Sequence, residues 1–134
     1  MITLHGFGPK FSLPDASPFL LKVDAFLRLS DMPFETAAGL DNFRKAPKGK
    51  LPYLSENGQI ISDSTLIIQH LQQSHGFDLD QHLSDNQRAM AFLVRSTIEE
   101  KLYWCTLYYR WIDETGVSKP GASSFGDCRR LRKR

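Results

Sequence analysis

The stretch of residues 50–71 constrains the fold more than any other part of the chain. Residues 51–54 are apolar enough for a short strand, and Pro52 marks its start, because proline cannot donate a hydrogen bond to a sheet ladder. The dipeptide Asn57-Gly58 predicts a hairpin turn, since both residues tolerate the positive φ angles that such turns require. A second apolar strand and a helix follow, so the stretch predicts the order strand, turn, strand, helix.

The helix that closes this stretch begins with polar residues that allow two interpretations. Ser62 and Asp63 offer side-chain oxygens to the free N–H groups of the first turn, and apolar residues then recur at helical spacing. On one interpretation, Asp63 and Ser64 only cap the helix. On the other, the helix dipole, the free N–H groups and the Ser64 hydroxyl form an anion site. The residue types alone favour capping, because Ser and Asp are common N-caps.

The N-terminal part of the chain predicts a strand, a long loop and a helix. Residues 2–7 alternate between apolar and polar side chains, as in a strand, and we interpret His5 as an ordinary strand residue. Residues 8–17 form a loop that is long for a strand-to-helix connection, and such loops are often functional. Ser17 and Pro18 suit the N-cap and the first position of the helix that follows.

Together with a short strand at residues 34–37, these elements resemble the N-terminal domain of glutathione transferases. Three short motifs carry the resemblance: Ser17-Pro18-Phe19, Leu51-Pro52 and Asp63-Ser64. The resemblance covers residues 2–114. It implies an α/β thioredoxin-like fold of the order βαβ-ββα, with a mixed four-stranded sheet, followed by the start of an all-α domain. Residues 8–19 and 45–54 also resemble the failed-axon-connections and metaxin-like branch of this family.

The resemblance implies a binding site for glutathione. In the family, the residue before a cis proline pairs with the backbone of the glutathione cysteine, and an acidic residue followed by serine holds the γ-glutamyl group. Leu51, Pro52, Asp63 and Ser64 match these positions in this chain. Glutathione is therefore the expected co-substrate, with a small electrophile as the second substrate.

The start of the first helix is where the family holds the residue that meets the glutathione sulfur. Ser17 stands at this position. A serine cannot exchange disulfides, but its hydroxyl can donate a hydrogen bond to a thiolate, and the helix N-terminus stabilises that anion. Ser17 is the first catalytic candidate, Ser12 the second, and Lys10 a weaker third. The alternative is that Ser17 acts only as an N-cap, since one hydroxyl must serve both roles.

The basic segment of residues 41–50 precedes the cis-proline position. In the family this segment is mobile and lies over the glycine end of glutathione. Lys50 or Lys48 is the candidate partner for the glycine carboxylate. For either lysine alone, a solvated loop is the favoured interpretation, because exposed charges are normally solvated and contribute little.

Charge and cysteine content argue against several classes of function. The formal net charge is +2; residues 117–134 contribute six basic and one acidic residue, which leaves the remainder at −3 and without a basic footprint for nucleic acid. No apolar run of about 18 residues and no leader is visible, so we expect no membrane partner and a cytoplasmic location. Cys105 and Cys128 form no Cys-x-x-Cys motif, and the histidines lack ligand spacing, so no metal is predicted.

The chain is predicted to divide into parts of different character. Residues 1–76 form the thioredoxin-like domain and residues 77–84 a linker. Residues 85–116 form one long helix, because the segment contains neither glycine nor proline before its last residue. We interpret its aromatic end as core rather than as a substrate wall. Residues 117–134 lack periodicity and predict a disordered basic tail. We therefore expect a truncated helical domain, an exposed apolar helix face and a homodimer.

Three hypotheses about function follow. The first is a glutathione S-transferase-like protein that binds glutathione and activates its thiolate for attack on an electrophilic or peroxide substrate. The second is a non-catalytic thioredoxin-like interaction module, or an inactive truncated transferase. The third is that the basic tail binds nucleic acid. We favour the alternative that the tail is accidental or vestigial.

Overall fold

The computed structural model of the chain describes residues 1–10 and 12–113. Two predicted segments lie outside the described residues: the basic tail of residues 117–134, which includes Cys128, and the helix end at residues 114–116. The hypothesis that the tail binds nucleic acid therefore also concerns residues that the structure does not describe. The chain divides into two compact units, Met1–Leu79 and Asp80–Arg134.

The first unit contains a mixed four-stranded sheet and three helices. The strands lie in the order β2-β1-β3-β4. Strand β1 is parallel to β2 and antiparallel to β3, which is antiparallel to β4. The elements in chain order are β1 (Ile2–Gly6), α1 (Pro18–Leu29), β2 (Phe34–Ala38), α2 (Asp41–Lys45), β3 (Tyr53–Glu56), β4 (Gln59–Ser62) and α3 (Ser64–His75). This arrangement confirms the predicted thioredoxin-like fold.

The core of the first unit lies between the sheet and the helices α1 and α3. In β1, buried residues alternate with half-buried ones, as the sequence pattern predicted. Leu4 is fully buried and pairs in register with the fully buried Leu54 of β3. The helices cover this face with side chains that recur at helical spacing: Leu20, Val23, Leu27, Ile67 and Leu71. Each such side chain contributes about 1.5–3 kcal/mol by its burial.

The β3–β4 hairpin forms where the sequence predicted it. Asn57 and Gly58 have φ angles of 49° and 80°, which is the backbone that a two-residue hairpin turn requires. Glu56 and Gln59 form the pair of the ladder next to the turn. Because side chains alternate across a strand, this register fixes which residues of β3 face the core.

Residues 41–50, which lie between β2 and β3, begin with a short helix, α2, that the sequence did not predict. Asn42 is buried and donates its side-chain N–H groups to the carbonyl oxygens of Gly6 and Ala37, at 2.9 and 2.7 Å. A helix of five residues is too short to show a hydrophobic period in the sequence. Hydrogen bonds to distant backbone groups hold it instead.

The first unit extends beyond residue 76, its predicted end. Gly76 closes α3 in the left-handed conformation, with φ of 67°. Phe77 then packs edge-on against Phe26, with ring centroids 6.5 Å apart, and Leu79 also packs against the core. These two residues belong to the folded unit, and the predicted linker therefore contains part of it.

The second unit is helical from residue 85 to residue 111. Its elements are α4 (Asp85–Thr97), a π-helical turn (Ile98–Leu102) and α5 (Tyr103–Trp111). Ser84 and Gln87 form a reciprocal capping box at the start of α4. The sequence predicted a helix here but not the π-helical turn, in which the N–H of Tyr103 donates to the carbonyl oxygen of Ile98. Among the described residues, no helix combines the length and apolarity needed to cross a membrane.

Candidate functional site

The three predicted site motifs lie at one end of the sheet. His5, near the end of β1, pairs with Tyr53 at the start of β3, and Tyr53 pairs with Ser62 at the end of β4. The loop that leaves β1, the residues that enter β3 and the residues that leave β4 therefore share this end. We call it the site end. The opposite end, next to the β3–β4 turn, is called the hairpin end.

Ser17 lies at the site end, as the N-cap of α1. It is 7% exposed, and its Oγ accepts the N–H of Leu20 at 3.4 Å. The predicted capping role is therefore present. A hydroxyl that accepts one hydrogen bond still carries a hydrogen to donate. The geometry thus leaves the capping role and a donor role for Ser17 compatible, whereas the sequence presented them as competitors.

Asp15 holds this loop and was not identified from the sequence. Its side chain is fully buried. One carboxylate oxygen accepts the N–H of Ser17 at 2.7 Å, and the other accepts the N–H of Gly8 at 2.7 Å. A Cβ on Gly6 would collide with the Asp15 carboxylate and with Leu20, so the glycine makes room for this contact. The available sequence signal was an aspartate two residues before an N-cap, a spacing at which Asp bonds to backbone.

Ser12, the second catalytic candidate, has a different setting. It is exposed and lies in a tight turn whose ends, Lys10 and Leu13, exchange backbone hydrogen bonds of 3.1 and 2.9 Å. Its φ of 60° is uncommon for a residue other than glycine. Ser12 therefore lies on a solvent-facing turn, whereas Ser17 is buried at a helix start.

The Leu51-Pro52 peptide bond is cis, as the resemblance implied. Pro52 is buried and Leu51 is half-buried. Lys50 and Lys48, the predicted carboxylate partners, are both exposed in the loop that leads to this bond. Lys50 directly precedes Leu51 and so lies near the site end, while nothing in the structure distinguishes Lys48 from a solvated lysine.

Asp63 and Ser64 have separate roles in the structure. Asp63 is the N-cap of α3 and accepts the N–H groups of Thr65 and Leu66 at 2.9 and 3.4 Å, with a φ of 78°. Ser64 is 4% exposed and does not cap the helix. Its Oγ accepts a hydrogen bond of 3.2 Å from Nζ of Lys22 in α1. The capping interpretation therefore describes Asp63 and not Ser64.

Lys22 joins α1 to the start of α3 and was not assigned a role from the sequence. Besides Ser64, its Nζ donates to Oγ1 of Thr65 at 3.0 Å. The residue stands three positions after the Ser17-Pro18-Phe19 motif, which carried the family resemblance but gave no partner for the lysine. The partners are 42 and 43 residues away in sequence, so only the fold reveals them.

A second polar cluster lies at the hairpin end. Glu56 is 8% exposed, and its two carboxylate oxygens lie 3.1 Å from Nε2 of His70 and 2.9 Å from Nε2 of His75. A carboxylate only accepts, so both Nε2 atoms donate. Burial raises the pKa of Glu56, but the hydrogen bonds from the two histidines outweigh it and hold the pKa below its ordinary value. Within the described residues, no group of His, Cys, Asp or Glu side chains is placed to hold a metal ion.

His5 is packed as a strand residue on the sheet. Its ring stacks on Tyr53 with centroids 4.2 Å apart, and its Nε2 lies 2.9 Å from Oγ of Ser55. Burial lowers the pKa of His5, and the nearby charge of Lys45 acts in the same direction, against an opposing interaction with the side chain of Asn42. The side chain is therefore mostly neutral at neutral pH.

The fold and the site end define a thioredoxin-like domain with the features of a glutathione transferase. The chain belongs to the glutathione S-transferase family: residues 18–116 match the family model of the glutathione S-transferase N-terminal domain.

Two curated relatives illustrate this membership. The chain is 38% identical over 122 residues to the isoprene-epoxide–glutathione S-transferase of Rhodococcus sp. (strain AD45), covering 87% of this chain and 50% of the relative. It is 34% identical over 110 residues to Failed axon connections of Drosophila melanogaster, covering 82% of this chain and 26% of the relative. The chain thus spans half or less of these relatives.

The fold is shared with a solved glutathione S-transferase from Rhodospirillum rubrum F11. The TM-score is 0.64 at 20% sequence identity, with 78% of this chain and 47% of that chain covered.

Proposed function

We propose that the first unit binds glutathione at the site end and activates its thiol for attack on an electrophilic or peroxide substrate. The convergence of the Ser17 loop, the cis Leu51-Pro52 bond and the Asp63-Ser64 helix start at one end of the sheet carries this proposal. Each segment would serve a different part of glutathione. The Ser17 loop offers a hydrogen-bond donor to the thiolate, the cis bond offers the backbone of Leu51 to the peptide, and the start of α3 offers an anion site to the γ-glutamyl group.

Glutathione would lie across this end in a defined order. The γ-glutamyl group would meet Ser64 and the N-terminus of α3, where backbone N–H groups and the helix dipole favour an anion. The cysteine backbone would pair with Leu51. The glycine carboxylate would point towards the exposed Lys50. The sulfur would then reach the N-terminus of α1 beside Ser17.

The chemistry at the sulfur follows from the properties of a thiol. The thiolate, and not the thiol, is the nucleophile, so any group that stabilises the anion raises the reactive fraction at neutral pH. The Ser17 hydroxyl hydrogen and the N-terminus of α1 both stabilise negative charge. With an epoxide, the class named for the Rhodococcus relative, the sulfur–carbon bond forms as a carbon–oxygen bond breaks, and the oxygen takes a proton from water.

Turnover of glutathione with an epoxide tests this function, with Ser17→Ala as the variant and Ser12→Ala as the matched control. Loss of the Ser17 donor raises the pKa of the bound thiol. We expect kcat/KM to fall roughly 10- to 100-fold at neutral pH, with the pH–rate profile displaced to higher pH. Ser12→Ala should retain the wild-type profile. Equal rates for Ser17→Ala and wild type would contradict the role of Ser17.

A second candidate function is a non-catalytic thioredoxin-like interaction module. The similarity to Failed axon connections favours this alternative, because that relative is not named as an enzyme. The two candidates differ in turnover: a folded chain without glutathione-dependent conversion of epoxide or peroxide supports the interaction module.

The proposed homodimer rests on the apolar residues of the second unit. Large side chains along α4, the π-helical turn and α5 are more than half exposed, among them Phe92, Leu93, Ile98, Leu102 and Trp104. Apolar patches of this kind usually mark an interface. Sedimentation equilibrium distinguishes a dimer from a monomer. A mass twice that of the chain supports the dimer, and the mass of one chain contradicts it.

A further inference from the structure

The contact between Lys22 and Ser64 determines what the serine can offer to a ligand. An ammonium group donates hydrogen bonds and cannot accept them. At 3.2 Å from Nζ of Lys22, the Ser64 oxygen must therefore act as the acceptor. The hydrogen of the Ser64 hydroxyl then points elsewhere. In the described part of the chain, no residue accepts a hydrogen bond from the Ser64 hydroxyl.

The surroundings of Ser64 make an anion the fitting acceptor. The serine is 4% exposed and is the first residue of α3, a helix of 12 residues whose N-terminus carries partial positive charge. Asp63, the nearest carboxylate in sequence, already accepts the N–H groups of Thr65 and Leu66. A hydrogen bond from a hydroxyl to a carboxylate is stronger than one between neutral groups.

We infer that Lys22 is a positioning residue that fixes the Ser64 hydroxyl as a donor to the α-carboxylate of a γ-glutamyl ligand. The lysine acts through Ser64 by occupying one side of its oxygen, and its contact with Thr65 holds the ammonium across the start of α3. This inference rests on the proposed glutathione site. It adds a residue from α1 that selects ligands with a free α-carboxylate at their amino-acid end.

Calorimetric titration of a double-mutant cycle with two peptides tests the inference. The proteins are wild type, Lys22→Met, Ser64→Ala and the double variant; methionine keeps an unbranched chain of similar length without a donor. The peptides are glutathione and 4-aminobutyryl-cysteinyl-glycine, which keeps the amine but lacks the α-carboxylate. Lys101→Met, in the second unit, is the control for loss of a lysine.

We expect Lys22→Met to weaken glutathione binding roughly tenfold, as for the loss of a hydrogen bond that a charged group strengthens. The analogue should bind wild type and Lys22→Met alike. In the Ser64→Ala background, Lys22→Met should have no further effect, because the lysine acts through the serine. Lys22→Arg should retain an affinity close to that of wild type, since it keeps a donor-only cation.

Other results would overturn the inference. If Lys22→Met weakens the binding of both peptides equally, the lysine does not act on the α-carboxylate. If it weakens glutathione binding to the same degree in the Ser64→Ala background, the lysine does not act through Ser64. If wild type binds glutathione and Lys22→Met binds it equally well, the inference fails while the proposed function stands. If folded wild-type chain binds neither peptide, the proposed function fails and takes the inference with it.

Discussion

The two ends of the sheet differ in how many hydrogen-bonding groups of their polar side chains have a partner within the fold. At the hairpin end, Glu56 has both oxygens occupied by His70 and His75, so the cluster is closed on itself. At the site end, Ser64 and Ser17 accept hydrogen bonds and keep hydroxyl hydrogens that no described residue takes up. The same helix, α3, contributes to both ends. The carboxylate at the hairpin end therefore serves the fold, while two hydroxyl groups at the site end each keep a hydrogen to donate.

The largest expected effect is that of Asp15→Asn, which tests whether the site end also depends on one buried group that serves the fold. Asp15 accepts hydrogen bonds from two backbone N–H groups, one on each carboxylate oxygen. The asparagine side chain of the variant would turn its own NH₂ group towards one of them, and that buried backbone N–H would lose its acceptor. We expect the free energy of unfolding to fall by about 3 kcal/mol, measured by urea denaturation. Asp31→Asn, at an exposed position, is the matched control and should change it by less than about 0.5 kcal/mol. A stable Asp15→Asn protein would show that the loop holds itself without this carboxylate.

The next largest effect is expected for Glu56→Gln. This variant tests whether the hairpin end contributes to stability without contributing to glutathione binding. The amide can satisfy only one of the two histidine donors, so we expect a loss of about 1–2 kcal/mol in the free energy of unfolding. Glutathione affinity should not change, because the cluster lies at the hairpin end. Glu35→Gln, exposed in β2, is the control for loss of a glutamate. Weakened glutathione binding in Glu56→Gln would mean that the two ends are coupled.

A smaller effect concerns the pH dependence of this cluster. The pKa of Glu56 is lowered in the folded chain from an ordinary value of 4.5. The unfolded chain therefore takes up the proton first as the pH falls. The stabilisation from Glu56 is present above about pH 4.5 and is lost as the pH falls through the folded pKa. We expect the difference in unfolding free energy between wild type and Glu56→Gln to shrink as the pH falls below about 4.5. A difference that grows as the pH falls below about 4.5 would contradict the direction of this shift.

The sequence predicted the features that local chemistry determines. Asn57-Gly58 specified the hairpin turn, and Ser17 and Pro18 specified the start of α1. Each feature depends on the backbone preferences of one or two residues and therefore appears in the sequence itself. The family resemblance supplied the sheet topology and the cis bond, which residue patterns alone do not determine.

The sequence did not reveal the contacts that join distant segments. Lys22 reaches Ser64 across 42 residues, and Glu56 meets two histidines that the sequence showed only as candidates without ligand spacing. Asp15 appeared as one more polar residue in a loop, although its burial makes it an anchor of the site end. Such contacts depend on how the helices pack on the sheet, and pattern reasoning along one segment has no access to that packing.

The most direct test of the central claim is calorimetric titration of glutathione into the wild-type chain, Ser64→Ala and Ser74→Ala. Ser74 is the matched control because it lies in the same helix but at the hairpin end, where its hydroxyl is 3.4 Å from Nδ1 of His70. We predict saturable binding to wild type and to Ser74→Ala, and binding weakened roughly tenfold in Ser64→Ala. No binding to folded wild-type chain, or equal affinities for all three proteins, would contradict a glutathione site at this end of the sheet.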